Sequence, residues 1–225
     1  MSQASCHGPY AMSRVTAQIS MSLDGYVAGP DQRPGEPLGT GGERLHEWVF
    51  GLEAWRAQHG LEGGERNADS DVVAHMFDHV GAHVMGRKMF GGFEGPWDPE
   101  WKGWWGDDPP YHTPTFVVTH HARDPLPMEG GTTFRFVTEG VEAAVERARE
   151  AAGPDREVRI DGGASTINQA LAAGLVDELV LHIVPLILGA GARLLVGVGD
   201  LALEPVEVAG SPAVTHVRYR VGGRA

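Results

Sequence analysis

Three short stretches of the sequence combine glycines with polar side chains in a way that suits anion binding. They are "IDGGAST" (160–166), "VMGRKMFGG" (84–92) and "VVTHHAR" (117–123), and in each the polar residues directly follow an apolar run. A helix that begins after such a turn presents unpaired backbone N–H groups at the positive end of its dipole, and glycines let an anion approach them. The chemistry predicted at these positions is phosphate binding.

The first stretch has the most complete arrangement. Gly162 and Gly163 follow an apolar strand and precede a helix whose first turn is Ala164, Ser165 and Thr166. The two hydroxyl groups could donate to a phosphate, or one of them could cap the helix, because Ser and Thr are common capping residues. Both interpretations stay open on these residues alone. The stretch also differs from the three-glycine signature of dinucleotide-binding folds.

The other two stretches place polar groups at further strand ends. Gly86 is followed by the adjacent cations Arg87 and Lys88, and the third strand ends in Thr119 and His120. The planar guanidinium of an arginine can bind two phosphate oxygens, although a solvated charge pair would look the same in sequence. The carboxyl ends of parallel strands meet at one edge of a sheet, where open α/β sheets bind ligands. We therefore expect the three stretches to lie together.

Two carboxylates are candidates for proton transfer. Asp24 lies in the turn "LDGYVAG", and Glu47 lies in the amphipathic segment "RLHEWVF". A carboxyl group whose pKa is raised by burial can protonate a C=N or C=O group as it is reduced. The alternatives are that Asp24 supports the turn at Gly25, that Glu47 faces solvent, and that water supplies the proton.

A loop rich in tryptophan follows the second stretch. Its aromatic side chains could form a lid that stacks on a flat substrate and excludes water, or could anchor the loop or a dimer contact. The residues concerned are Trp97, Trp101, Trp104, Trp105 and Tyr111.

Composition excludes several classes of function. The net charge is −12, with 30 acidic and 18 basic residues, which argues against a nucleic-acid partner. The single cysteine, Cys6, excludes an internal disulfide. His75 and His79 are spaced like one helical turn, but no third ligand has suitable spacing, so no metal is predicted. The N-terminus lacks the features of a signal peptide and no run is long enough to span a bilayer, so we expect no membrane association and a cytoplasmic location.

Apolar periodicity predicts how these residues are positioned. Strands that alternate with helices indicate one α/β domain over 13–225 with a mainly parallel sheet covered on both faces and a C-terminal antiparallel hairpin. A disordered tail over 1–12 and insertions at 29–42 and 92–113 complete the predicted organisation. Strands are predicted at 14–20, 83–85, 115–120, 133–138, 157–160, 178–188, 202–209 and 213–221, and helices at 43–59, 69–81, 141–152 and 164–174.

Four segments, in this order and spacing, resemble the dihydrofolate reductase-like superfamily, in particular the C-terminal reductase domain of the bifunctional riboflavin-biosynthesis deaminase-reductase. They are "SMSLDGYVAG" (20–29), "VMGRKMFGG" (84–92), "DGGASTINQAL" (161–171) and "LVDELVLHIVPLILGAGARLL" (175–195). The resemblance covers residues 14–221. It implies a dihydrofolate reductase-like fold, a homodimer, and a reductase that uses NADPH.

The resemblance also implies which residues contact NADPH. Those from Gly162 to Thr166 would hold the pyrophosphate, and those from Gly86 to Lys88, with Thr119 and His120, would lie near the adenosine 2′-phosphate. Ser20 and Val27 would flank the nicotinamide. The substrate would be a small heterocycle, either pterin-like or aminopyrimidine-like, or a carbonyl compound. Alternatives are 5-amino-6-(5-phosphoribosylamino)uracil, the substrate of the riboflavin reductases, whose threonine-rich phosphate motif is missing at 86–97, and an NADPH sensor without catalysis.

Overall fold

The computed structural model describes residues 13–33, 35–91 and 95–222; the predicted disordered tail, with Cys6, lies outside the described residues. The strands are Val15–Ser22 (β1), Tyr26–Ala28 (β2), Val80–Gly86 (β3), Pro114–Val118 (β4), Leu126–Pro127 (β5), Thr133–Val137 (β6), Glu157–Gly162 (β7), Glu178–Val184 (β8), Ala192–Arg193 (β9), Leu203–Gly210 (β10) and Thr215–Val221 (β11). The α-helices are Glu47–Phe50 (α1), Glu53–Gln58 (α2), Ala68–Ala74 (α3), Arg87–Gly91 (α4), Val141–Ala152 (α5) and Ala164–Ala172 (α6). Short 3₁₀ turns occur at Gly42–Leu45 and Glu129–Gly131.

Nine strands form one sheet in the order β10-β11-β8-β1-β7-β3-β4-β6-β5. The six strands from β8 to β6 run parallel. The hairpin β10–β11 adds an antiparallel edge at one side, and β5 pairs antiparallel with β6 at the other. This confirms the predicted α/β fold with a mainly parallel sheet and a C-terminal hairpin.

One face of the sheet carries the main hydrophobic core. Strand residues such as Val15, Ile160 and Leu179 are fully buried there. They pack with Val145 of α5 and Ile167 of α6, each 1% exposed or less. The alternation of apolar and polar residues along β1 and β7 therefore has a direct cause, since successive side chains point to opposite faces of a sheet.

The opposite face is unusual because its buried strand residues are largely polar. Register pairs Thr16 with Arg159, Arg159 with His83, and Ser20 with His182, so these side chains point to the same side. We call this side the polar face; it comprises Thr16, Gln18 and Ser20 of β1, Arg159 and Asp161 of β7, His83 of β3, His182 of β8 and His216 of β11.

Two smaller hydrophobic clusters flank the polar face. Leu45, Trp48 and Val73 from the segments around α1 to α3 pack against Val184 and its neighbours at the β8 side. Phe90 and Phe134 form the centre of an aromatic cluster at the β3–β6 side, to which the tryptophan loop contributes. The polar groups of the central strands β1 and β7 therefore lie between these two hydrophobic clusters.

Two predicted helices are wrong in extent. The helix predicted over 43–59 is interrupted at Leu52, whose backbone is extended (ψ 141°) and bridges to Glu65. The helix predicted over 69–81 ends at Ala74, and His79 has a positive φ of 61° before β3 begins at Val80. Consequently His75 and His79 do not lie one turn apart on a helix. The predicted helix at 141–152 is confirmed in its bounds.

Candidate active site

The turn between β7 and α6 leaves the start of the helix without a side-chain cap. Gly163 is the N-cap residue, and its carbonyl accepts the first helical hydrogen bonds, from Thr166 N at 3.1 Å and Ile167 N at 3.2 Å. The alternative that Ser165 or Thr166 caps the helix is therefore wrong. Ser165 instead accepts a hydrogen bond on Oγ from Gln169 Nε2 at 2.9 Å. The N–H groups of Ala164 and Ser165 precede the first intrahelical bonds and suit an anion.

Three glycines at this edge have different roles. A Cβ at Gly163 would meet nothing within 4 Å, so the space in front of the helix start is open. Gly162 has φ 133°, and a Cβ there would lie 3.2 Å from Ile19 Cδ1. A Cβ at Gly86 would overlap the Thr166 hydroxyl group. Gly162 and Gly86 thus allow close packing, whereas Gly163 leaves room for a ligand.

Arg87 joins the ends of β3 and β4. Its Nη1 donates to Thr119 Oγ1 at 3.4 Å, and its Nη2 donates to the Gly95 carbonyl at 2.6 Å. The guanidinium lies 3.8 Å from the ring centroid of Trp97, which is a cation–π distance. Burial lowers the pKa of Arg87 below its ordinary value. Lys88, the next residue, is exposed.

A groove of about 600 Å³ lies at the end of β4, beyond Thr119. Its lining includes Trp97, His120, His121 and Arg123. His120 is exposed, while Thr119 is buried and its hydroxyl accepts a hydrogen bond from His121 N at 3.2 Å. Because β7, β3 and β4 are neighbours, the glycine turn, Arg87 and this groove form one continuous edge. The three predicted stretches therefore do lie together.

The two predicted proton donors, Asp24 and Glu47, lie in a turn and at the start of an exposed helix. A hydrogen bond from the Ser22 hydroxyl, at 2.6 Å, is the main reason that the pKa of Asp24 falls to about 2, and the N–H groups of Leu188 and Gly189 contribute. Asp24 therefore holds two loops together as an ionised turn residue. Glu47 is exposed at the start of α1. Neither carboxyl group is enclosed in a buried site.

Ser20 and Val27, predicted to flank the nicotinamide, are both buried. Ser20 is 6% exposed on the polar face, and its Oγ accepts a hydrogen bond from Trp48 Nε1 at 3.4 Å. Val27, 5% exposed on β2, belongs to the main hydrophobic core. Ser20 lies on β1, before the turn that joins β1 to β2, and Val27 lies on β2, after it.

Asp161 is a candidate that the sequence reasoning missed. It immediately precedes Gly162 on β7, and its side chain is 12% exposed. Its Oδ2 lies 2.8 Å from Nδ1 of His83, which is fully buried. The signal was present, because Asp161 interrupts the apolar run before the glycines and lies two residues from Arg159, on the same face. It is the carboxylate nearest in sequence to the predicted phosphate turn.

The polar face also contains a buried chain of hydrogen bonds. Gln18 Nε2 lies 2.8 Å from His182 Nε2, His182 Nδ1 lies 2.7 Å from His216 Nδ1, and His216 Nε2 lies 3.1 Å from Asp69 Oδ1. Only one set of protonation states satisfies every contact when Asp69 is ionised: His216 donates to Asp69, His182 donates to His216, and Gln18 donates to His182. Both histidines are therefore neutral.

The neutral histidines predict a loss of stability in acid. Burial, with a smaller contribution from the neighbouring His216, lowers the pKa of His182 to about 3, whereas an unfolded histidine has its ordinary pKa near 6.5. His182 of the unfolded chain therefore takes up a proton as the pH falls below about 6.5, and His182 of the folded protein does not. We expect roughly 2–3 kcal/mol less stability from this residue at pH 4.5 than at pH 7.5.

Urea unfolding of the wild type and of His182→Gln at both pH values measures this effect. The variant should lose less stability between the two pH values than the wild type, and replacement of the exposed His120 by Gln should leave the wild-type difference unchanged. Equal losses in wild type and His182→Gln would show that His182 is not held neutral.

The tryptophan loop is anchored by its own side chains. Trp97 Nε1 donates to the His121 carbonyl at 2.7 Å, and Trp101 Nε1 donates to the Phe90 carbonyl at 3.0 Å. Trp105 stacks on Phe134 with ring centroids 5.9 Å apart. These contacts favour the anchoring interpretation over that of a substrate lid.

Metal clusters and membrane-spanning helices are both absent from the part of the chain that the structure describes. Across residues 13–33, 35–91 and 95–222, no three or more His, Cys, Asp or Glu side chains are grouped so that they could hold a metal ion. Within the same residues, no helix is long and apolar enough to cross a membrane.

The sheet order, the helix that starts after the glycine turn and the C-terminal hairpin define the class of dihydrofolate reductase-like α/β proteins. A representative of that fold, the dihydrofolate reductase of Enterococcus faecalis solved with NADP(H), has a TM-score of 0.51 and 14% identity over 96% of this chain and 100% of its own. The chain belongs to the family of the RibD C-terminal domain, a family of reductase domains, whose model matches residues 13–216.

Other solved structures share the fold at low identity. A protein of Shewanella sp. PV-4 ascribed to riboflavin biosynthesis has a TM-score of 0.56 and 21% identity, over 94% of this chain and 100% of its own. The riboflavin biosynthesis reductase Rib7 of Saccharomyces cerevisiae has a TM-score of 0.51 and 14% identity, over 98% and 94%. No curated protein matches the sequence.

Proposed function

We propose that this protein is an NADPH-dependent reductase that transfers a hydride to a small heterocyclic or carbonyl substrate. The observation that carries the proposal is the open space at Gly163, where an uncapped helix begins at the edge shared by β7, β3 and β4. Membership of a reductase family supports the reaction class. Whether NADPH fits the site depends on this chain's own residues.

The residues at the strand ends fit NADPH in chemistry and in order. The turn from Gly162 to Thr166 would hold the pyrophosphate, because backbone N–H groups at a helix start favour an anion. Arg87 and Lys88 would hold the 2′-phosphate near Thr119 and His120, and the groove of about 600 Å³ leaves room for the adenosine end. When bound, the coenzyme supplies a hydride; the chain's residues orient it and hold the substrate beside it.

Arg87 provides a test of coenzyme preference. Replacing it with glutamine removes the guanidinium beside Thr119 and should weaken NADPH binding about 10- to 100-fold, on the ~1.5–3 kcal/mol that a hydrogen bond to a charged group contributes. NADH, which lacks the 2′-phosphate, should lose little affinity. Calorimetric titration with both coenzymes measures the change. An equal loss for NADPH and NADH would place Arg87 outside the 2′-phosphate site.

Asp161 is the proton donor that we propose for the reaction. It adjoins the predicted pyrophosphate turn, is mostly buried, and points to the same face of the sheet as Ser20. Reduction of a C=N or C=O group requires a proton on nitrogen or oxygen as the hydride reaches carbon. Asp24, ionised in its turn, and the exposed Glu47 are less suited to this step.

The polar face supports a substrate with hydrogen-bonding edges. Buried Arg159 keeps Nε and Nη1 without a partner among the described residues, and Gln18 lies on the adjacent strand. Pterin-like and aminopyrimidine-like rings carry matching donors and acceptors. The riboflavin precursor 5-amino-6-(5-phosphoribosylamino)uracil is the specific alternative within this class.

A turnover assay tests the proposal. NADPH oxidation, followed by absorbance at 340 nm, should accompany reduction of at least one member of a panel of dihydropterins, aminopyrimidines, the riboflavin precursor and small carbonyl compounds. Binding of NADPH without turnover of any member would favour the sensor interpretation. If neither NADPH nor NADH raised the melting temperature, the protein would have no coenzyme site.

We also propose that the protein forms a homodimer through the β10 edge of the sheet. The strand is eight residues long, and its side chains Val206 and Val208 are 40% and 65% exposed. A long exposed edge strand with apolar side chains favours pairing with another chain. Light scattering after gel filtration should give twice the monomer mass of 24.1 kDa, and Val208→Lys should shift it towards the monomer.

A further inference from the structure

We propose that His83 is a positioning residue for Asp161, holding one carboxylate oxygen so that the other, Oδ1, carries the proton given to the substrate. This inference rests on the proposed function. It assigns a role to a fully buried histidine that the coenzyme site does not use.

The contact between the two side chains is short and enclosed. His83 is 0% exposed, and its Nδ1 lies 2.8 Å from Asp161 Oδ2. The ring of Tyr111 meets the imidazole edge-on at 4.8 Å, and that of Phe77 lies at 5.9 Å. These neighbours restrict rotation of the ring, so the direction of the Nδ1–Oδ2 contact is fixed by packing.

The surroundings of His83 also determine its tautomer. Its Nε2 is buried and has no hydrogen-bond partner among the described residues. Nε2 lacks a partner within the described part of the chain in either tautomer, so the contact at Nδ1 decides between them. A proton on Nε2 would leave the lone pair of Nδ1 facing the carboxylate of Asp161 at 2.8 Å. A proton on Nδ1 instead meets the carboxylate of Asp161. The geometry therefore favours a proton on Nδ1 of His83.

This tautomer decides which oxygen of Asp161 can be protonated. Oδ2 already accepts the hydrogen bond from His83, so a proton on the acid occupies Oδ1. NADPH, when bound at the neighbouring turn, would supply the hydride for the new C–H bond and become NADP⁺. The electron pair of the C=N or C=O π bond would move to nitrogen or oxygen, and that atom would take the proton from Oδ1. Asp161 is left as a carboxylate that His83 stabilises, and water restores the proton through the exposed part of the side chain.

Two substitutions separate positioning from folding. Asparagine places its Nδ2 donor close to the position of Nδ1 in histidine, whereas leucine fills similar volume without a donor. We expect His83→Leu to lower kcat about 10- to 100-fold, as for a displaced catalytic group, with the Kd for NADPH unchanged. His83→Asn should recover most of the lost kcat. Melting temperatures of both variants with and without NADPH report whether each is folded.

A spectroscopic measurement tests the same assignment without any substrate. In ¹⁵N-histidine-labelled protein, Nδ1 of His83 should give the signal of a protonated ring nitrogen. An unprotonated Nδ1 would overturn the assignment, and so would wild-type kcat in folded His83→Leu. Absence of turnover in the wild type contradicts the proposed function instead, and it is seen before any variant is compared.

Discussion

Replacing Asp161 with asparagine should lower kcat by two to four orders of magnitude while the Kd for NADPH changes less than about threefold. Asparagine has the size of aspartate, and its amide oxygen can still accept the hydrogen bond from His83 Nδ1, but it has no acidic proton. The loss should therefore fall on the chemical step. Steady-state kinetics on a substrate from the turnover panel, with a parallel NADPH titration, separates the two quantities.

Substitutions at three other carboxylates serve as comparisons for Asp161→Asn. Asp155→Asn, an exposed substitution of the same type, is the matched control and should leave kcat within about twofold, as expected for a surface change. Asp24→Asn and Glu47→Gln test the two donors predicted from the sequence. A collapse of kcat in either of those variants, with normal activity in Asp161→Asn, would contradict the assignment of Asp161.

Replacing Gly163 with valine should abolish measurable NADPH binding, weakening it by about 100-fold or more. The backbone there has φ −77°, which side chains tolerate, and a Cβ would meet nothing within 4 Å. The new side chain would therefore extend into the space in front of the helix start. Loss of the anion site at a helix N-terminus would remove several hydrogen bonds to charged oxygens, each worth about 1.5–3 kcal/mol.

Gly51 offers a matched control for this change. It also has a negative φ, −83°, and a Cβ added there would likewise meet nothing within 4 Å. Gly51→Val should bind NADPH like the wild type. Calorimetric titration and thermal melting of both variants are the measurements. Wild-type binding by Gly163→Val would show that the pyrophosphate does not lie at this turn.

Much of this site could be predicted from the sequence because its signals are local. The glycines after an apolar strand indicated the turn before α6, and the apolar spacing of α5 indicated a helix between β6 and β7. Arg87 and Thr119 followed from the same strand-end pattern, and the parallel topology then brings them to one edge. Their roles towards NADPH stay predictions.

Other features depend on contacts between distant segments, which local patterns do not show. Leu52 interrupts a regular helical pattern because its backbone pairs with Glu65. His83 and Asp161 are 78 residues apart in sequence, and only the pairing of β3 with β7 makes them neighbours. Asp161 continues the alternation of polar residues along β7, and nothing in that local pattern shows that its carboxylate meets a buried histidine. Asp24 and Glu47, which the sequence suggested as proton donors, lie in a turn and on an exposed helix.

The most direct test of hydride transfer by this protein is to follow deuterium from NADPH labelled at the nicotinamide 4-position into the product. With a substrate that is turned over, the product should gain deuterium from one of the two 4-position isotopologues and not from the other, as analysed by mass spectrometry. Coenzyme that binds at the strand-end turn but leaves every product unlabelled would contradict the account.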